Sequence, residues 1–275
     1  MIIMKRIALS LLLLLGMTML HAQSIARNDC VLESKILGTT THYSIYLPPS
    51  YNSSTLDYPV LYLLHGGGDN HKDWLLKGQA AAIADKAIQD GISAEMIIVM
   101  PDGMQNWYAN KADGSFNYED YFFKELIPHI EATYRARTER QYRAISGLSM
   151  GGYGCLLYAI KHPDMFTACY GMSIGMFGKQ RLSQTRPGQA WYGESYFGKL
   201  QKNGDLPQAW YDNDIYTLLG KMSDQQKRMV SFCIECGDDE LNRDQAEVFL
   251  LMKDLSIPCE VRLVDGAHNW ILWRK

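Results

Sequence analysis

One serine, one histidine and a run of three acids have the types and the order that nucleophilic catalysis requires. Ser149 sits in Gly147-Leu148-Ser149-Met150-Gly151, a G-x-S-x-G pattern between a β-type run at 142–146 and a helix-like stretch at 153–161. Glycines on both sides let the chain reverse sharply and leave the hydroxyl exposed at a strand end. A serine hydroxyl attacks only once a base takes its proton, and an imidazole needs a carboxylate to fix its tautomer. Of the seven histidines, His268 alone follows a strand-like run in a glycine-containing loop, after the acidic cluster Asp238-Asp239-Glu240. His162 precedes Pro163 at a helix end and reads as a cap, whereas His65 heads a glycine run and reads as a shaper of that loop. One residue of register decides which carboxylate reaches His268, so the acid stays open among the three. The oxyanion formed on attack needs two fixed donors. The Met150 backbone N–H, directly after the serine, is one. The other is expected from His65-Gly66-Gly67-Gly68, at Gly67, where a bare backbone can approach substrate.

Those residues converge only if a sheet brings them to one rim. The almost continuous apolar runs at 58–64 and 96–100 predict strands covered on both faces, the first emptying into the glycine loop and the second into Pro101-Asp102-Gly103. Further strands are expected at 29–37, 42–47, 142–146, 166–173, 229–234 and 259–264, with helices at 79–88, 117–134, 153–161 and 243–255. Pro128 should kink or split the helix at 117–134. Strands alternating with helices imply an α/β fold with a mostly parallel central sheet and helices on both faces. On such a sheet, ligands meet the loops past the C-terminal strand ends, where Ser149, the acidic cluster and His268 all fall. Periodicity fades at 175–229, where Gly, Pro, Gln and aromatic residues dominate. An irregular segment of this length reads as a cap or pocket wall. Trp107, Trp191 and Trp270 are the candidate surfaces for a stacking substrate.

Composition narrows the function classes. The 275 residues carry a formal net charge of −3 and no basic cluster, which argues against nucleic acid as a partner. Lys5 and Arg6, the apolar run 7–20 and Ala22 predict a signal peptide over 1–22, followed by one domain at 23–275. A secreted or periplasmic location, with no stable membrane insertion after processing, follows from that reading. The six cysteines are scattered, and Cys233 and Cys236 would point to opposite faces of a strand, which suits neither zinc nor redox work. No metal or organic cofactor is expected.

The chain order Ser, acid, His is that of α/β-hydrolases, and the chain resembles the esterase D branch of that fold. The resemblance rests on Val60 to Gly68 with Trp74, Met100-Pro101-Asp102-Gly103 with Trp107-Tyr108, and Gly147 to Gly152. It extends to Cys236-Gly237-Asp238-Asp239 and Gly266-Ala267-His268-Asn269-Trp270 with Trp273. It implies an α/β-hydrolase fold and the chemistry of feruloyl esterases, acetyl-xylan-type esterases, S-formylglutathione hydrolases and mycolyltransferases. Relatives place the acid three residues after the turn glycine, which here is Glu240. Yet Asp239-Glu240-Leu241 resembles the D-x-L that carries it, so Asp239 is favoured with Glu240 as the alternative. The expected activity is ester hydrolysis through an acyl-enzyme, on acetyl or feruloyl esters of plant polysaccharide fragments. Acyl transfer to a sugar acceptor would use the same residues, and a non-catalytic carbohydrate-binding protein is the third reading.

Overall fold

The apolar runs become neighbours in one eight-stranded sheet. In the computed structural model, which describes residues 23–175, 194–199, 205–240 and 243–275, the strands are β1 (Ile25–Ser34), β2 (Thr39–Leu47), β3 (Val60–Leu64), β4 (Ile97–Pro101), β5 (Arg143–Leu148), β6 (Ala168–Met172), β7 (Ser231–Gly237) and β8 (Cys259–Val264). Their spatial order is β1-β2-β4-β3-β5-β6-β7-β8. The pairs β1/β2 and β2/β4 are antiparallel and every other pair is parallel. From β3 the chain goes first to β4 on one side and later to β5 on the other. The switch point therefore lies between the C-terminal ends of β3 and β5, where a crevice opens in sheets of this kind. The proposed 1–22 signal segment lies outside the described residues, among which no helix is long and apolar enough to cross a membrane.

Both faces of the central strands are covered, as their unbroken apolar runs require, while the edge strands β1 and β8 stay largely exposed. Tyr62, Leu64, Ile97, Val99 and Ile145 point into the main core with α3 (Met150–Lys161), α4 (Ile215–Lys221) and α5 (Arg243–Asp254). Leu63, Ile98, Met100 and Leu148 point into a second cluster, against Trp74 and the side of α1 (Ala80–Gln89) that carries Ala80 and Ala84. The expected long helix at 117–134 is split. One α turn at Tyr118–Tyr121 and a π turn at Phe122–Leu126 precede α2 (Ile127–Thr133), whose first turn holds Pro128. Proline has no N–H to donate to the turn before it, and the hydrogen-bond ladder widens there.

The expected irregular segment at 175–229 is more ordered than its sequence pattern suggests, where it is described. Short helices at Gln208–Tyr211 and Ile215–Lys221 bury Trp210, Ile215 and Leu219 in the main core, and the Tyr153 hydroxyl donates to the Asn213 carbonyl (2.8 Å). Helices of four and seven residues are too short to leave a readable period.

Candidate active site

Ser149 stands at the turn from β5 into α3 with φ +54° and ψ −116°. That is a rare conformation for a residue with a side chain, of the kind that costs about 1–3 kcal/mol and persists only where its surroundings impose it. The surroundings are visible. The Ser149 N–H donates to the Met172 carbonyl at the end of β6 (2.9 Å), and the Gly175 N–H donates to the Ser149 carbonyl (2.9 Å). A Cβ at Gly147 would stand 2.3 Å from the Gly151 carbonyl oxygen, so the reversal closes only on glycine.

His268 lies in the loop after β8 and Glu240 in the turn after β7. The His268 Nδ1 donates to Glu240 Oε2 at 2.5 Å. The other carboxylate oxygen, Oε1, accepts from the Gly237 N–H (3.1 Å) and from the Ser173 hydroxyl. Ser173 in turn accepts from the Trp273 indole N–H (2.8 Å), and the Trp273 ring meets the His268 ring edge-on with centroids 4.9 Å apart. Burial alone would raise the Glu240 carboxyl. The hydrogen bonds from His268, Ser173 and Gly237, with the charge of His268 behind them, outweigh it and hold the group below the ordinary glutamate range. Among the described residues no hydrogen bond joins the second imidazole nitrogen to the Ser149 hydroxyl. In a substrate-free site this contact is often open and tightens in the Michaelis complex.

The favoured Asp239 is corrected to Glu240 as the carboxylate that meets His268. The turn geometry gives the reason. The Glu240 N–H donates to the Gly237 carbonyl (3.3 Å), so Asp238 and Asp239 form the exposed tip and Glu240 is the residue that comes back. Asp238 accepts from the Gly266 N–H (3.0 Å) and ties this turn to the histidine loop. A Cβ at Gly237 would come within 2.1 Å of the Gly266 carbonyl oxygen, so the two loops touch backbone to backbone.

The glycine loop after β3 abuts the elbow, since a Cβ at Gly66 would lie 3.3 Å from Ser149 Cβ. His65 is fully buried. Its Nδ1 donates to the Gly66 carbonyl (2.8 Å) and its Nε2 accepts from the Gly103 N–H (2.7 Å), a neutral tautomer that shapes the loop. The Gly67 N–H has no acceptor among the described residues, and the Met150 N–H is a first-turn amide with no intrahelical partner.

Of the aromatic candidates, Trp107 stacks edge-on against Tyr153, and its ring lies 3.3 Å from a Cβ built at Gly175, beside the elbow. Trp270 is half-buried, and its ring packs edge-on against Trp74 and Trp273 beside the second core cluster. Trp191 lies outside the described residues. Sequence reasoning missed Ser173, and it quoted Trp273 for the family resemblance without giving it a role at the site. Ser173 directly follows a strand end, the position that singled out the other site residues, and carried the one available signal.

The other described histidines are engaged elsewhere: His71 with Ser44, His42 stacked on His71, His129 with Tyr43, and His162, at the end of α3, with Glu119. All six cysteines are unpaired, and burial pushes the Cys236 and Cys259 thiols up to about 12, which removes them as nucleophiles near neutral pH. No cluster of three or more His, Cys, Asp or Glu side chains suited to a metal ion occurs among the described residues.

Comparison with known proteins gives the family and the fold. The family model described as putative esterase matches residues 34–275. An endo-1,4-beta-xylanase/feruloyl esterase of Xylanibacter ruminicola is 35% identical over 88% of this chain and 29% of its own length. Esterase MT1326 of Mycobacterium tuberculosis is 37% identical over 86% of this chain and 54% of its own. The chain thus spans 29% to 54% of the length of these curated relatives. An acetyl esterase of Caldicellulosiruptor saccharolyticus is 25% identical over 78% of this chain and 79% of its own. Among solved structures, a ferulic acid esterase aligns with a TM-score of 0.75 and 31% identity, covering 92% of this chain and 94% of that one. On its sequence match and its sheet, the chain belongs to the putative esterase family and has the α/β-hydrolase fold.

Proposed function

We propose that this chain is a serine esterase that hydrolyses acetyl or feruloyl esters of plant polysaccharide fragments through an acyl-enzyme. Ser149 attacks the ester carbonyl, and His268 takes its proton and returns it to the leaving alcohol. Glu240 holds the imidazole in the tautomer with Nδ1 protonated and stabilises the imidazolium that forms. The Gly67 and Met150 N–H groups bind the oxyanion. Water, activated by His268, then releases the acid. The observation that carries this reading is the Glu240–His268 pair on loops tied, through Ser173 and Met172, to the strained serine turn.

The substrate class draws on the relatives named feruloyl esterase and acetyl esterase, and on Trp107 beside the elbow as a flat apolar surface for a phenolic or sugar ring. The 1–22 segment, read as an export signal, would bring the enzyme to polymeric material outside the cytoplasm. The test is release of acetate and ferulate from acetylated and feruloylated xylo-oligosaccharides, with Ser149→Ala as the control. Release by the wild type and none by the variant is expected. Equal release by both, or none by either, would remove the proposal.

A further inference from the structure

An oxyanion donor acts only if it is held still before the charge develops, and a run of three glycines holds nothing still by itself. This loop's own turn bond, from the Asp69 N–H to the Gly66 carbonyl, is long at 3.3 Å, and two neighbours brace it. On the N-terminal side, His65 fixes the Gly66 carbonyl and is fixed in turn by the Gly103 N–H. On the C-terminal side, the side-chain amide of Gln105 spans the loop. Its Oε1 accepts from the Gly68 N–H (2.7 Å) and its Nε2 donates to the Asp69 carbonyl (2.7 Å). The two bonds have opposite polarity, so they fix the amide's orientation and use both ends of it. A Cβ at Gly67 would lie 3.9 Å from Gln105 Oε1, which places the clamp against the very residue whose N–H is left without an acceptor.

Gln105 is exposed, and its backbone is left-handed at φ +56°, next to Met104 at +49° and close to Trp107 at +51° and Tyr108 at +58°. An exposed glutamine in that conformation contributes little to a core. The run of left-handed residues turns the loop after β4 back over the glycine loop after β3.

We propose that Gln105 is a positioning residue that holds the 66–69 loop so that the Gly67 N–H points at the developing oxyanion. The proposal rests on the esterase reading above. It is tested with Gln105→Met, which keeps the length and loses both hydrogen bonds, and with Gln105→Gly, which also relaxes the left-handed backbone. In both variants kcat for p-nitrophenyl acetate should fall roughly ten- to a hundredfold, below the loss of an entire oxyanion donor. KM should stay within about threefold, because the donor acts on the transition state. Amide exchange in the 66–69 segment should quicken while the thermal midpoint holds. Unchanged exchange in that segment, a kcat within twofold of wild type, or a collapse of the thermal midpoint in both variants would overturn the clamp. A wild-type chain that neither turns over the ester nor takes a fluorophosphonate label would sink the esterase reading instead, and the exchange measurement separates the two failures.

Discussion

Replacing Glu240 with glutamine should cripple turnover, whereas replacing Asp239 with asparagine should leave it intact. The structure fixes how the new amide would sit. The Ser173 hydroxyl and the Gly237 N–H both donate to the Oε1 position, so the amide oxygen must take that place. The NH2 group then faces His268 Nδ1, where a carboxylate oxygen now accepts at 2.5 Å. Two donors cannot face each other, so the imidazole must carry its proton on Nε2, and in that form it cannot take the proton of Ser149. A wrong tautomer of this kind costs on the order of 10³–10⁴ in kcat, about 4–5 kcal/mol of transition-state stabilisation. Asp239 is exposed at the tip of its turn, and its substitution should cost under about 0.5 kcal/mol, within roughly twofold in kcat. The assay is steady-state hydrolysis of p-nitrophenyl acetate, with thermal denaturation to confirm that both variants fold. A folded Glu240→Gln enzyme within tenfold of wild type, or an Asp239→Asn enzyme that loses more than tenfold, refutes the reasoning.

Ser173→Ala deletes the hydroxyl that donates to Glu240 and accepts from Trp273. Stability should drop by about 1–3 kcal/mol, because the indole N–H and the carboxylate each lose a partner, and kcat should fall about tenfold. A denaturant midpoint and kcat equal to wild type would refute this. Gly237→Ala puts a methyl group 2.1 Å from the Gly266 carbonyl oxygen, so the histidine loop must move. The expected loss is about 1–3 kcal/mol of stability together with most of the activity, and an unaltered pair of values would contradict it. The Glu240 carboxyl is held below its ordinary value. Its contribution to stability is therefore complete above the unfolded-state value of about 4.3 and is lost as pH falls through the lower folded-state value. The stability gap between wild type and Glu240→Gln should be widest above about pH 5 and close in acid; a gap that grows toward low pH has the wrong sign.

Sheet and nucleophile were legible because each writes a long or sharp local signal. A short unbroken apolar run such as 60–64, bounded by Pro59 and a glycine loop, reads as a strand buried on both faces, and Gly147-Leu148-Ser149-Met150-Gly151 between a strand and a helix leaves few alternatives. The acid was not legible to the residue. Whether Asp239 or Glu240 returns to His268 depends on one hydrogen bond closing a four-residue turn, and three consecutive carboxylates give no local cue to it. Ser173 and Gln105 were missed for a related reason, since each acts across the fold on a strand-end loop remote in sequence. The split before Pro128 was anticipated, but its π turn was not, because proline dictates the break and leaves the form of the repair to packing.

Treating the full chain with a fluorophosphonate and mapping the adduct by peptide mass spectrometry tests the central claim most directly. A single covalent label on Ser149, formed by the wild type and strongly slowed in Glu240→Gln, is the predicted result. A label on another residue, or no label on folded wild-type protein, would contradict it.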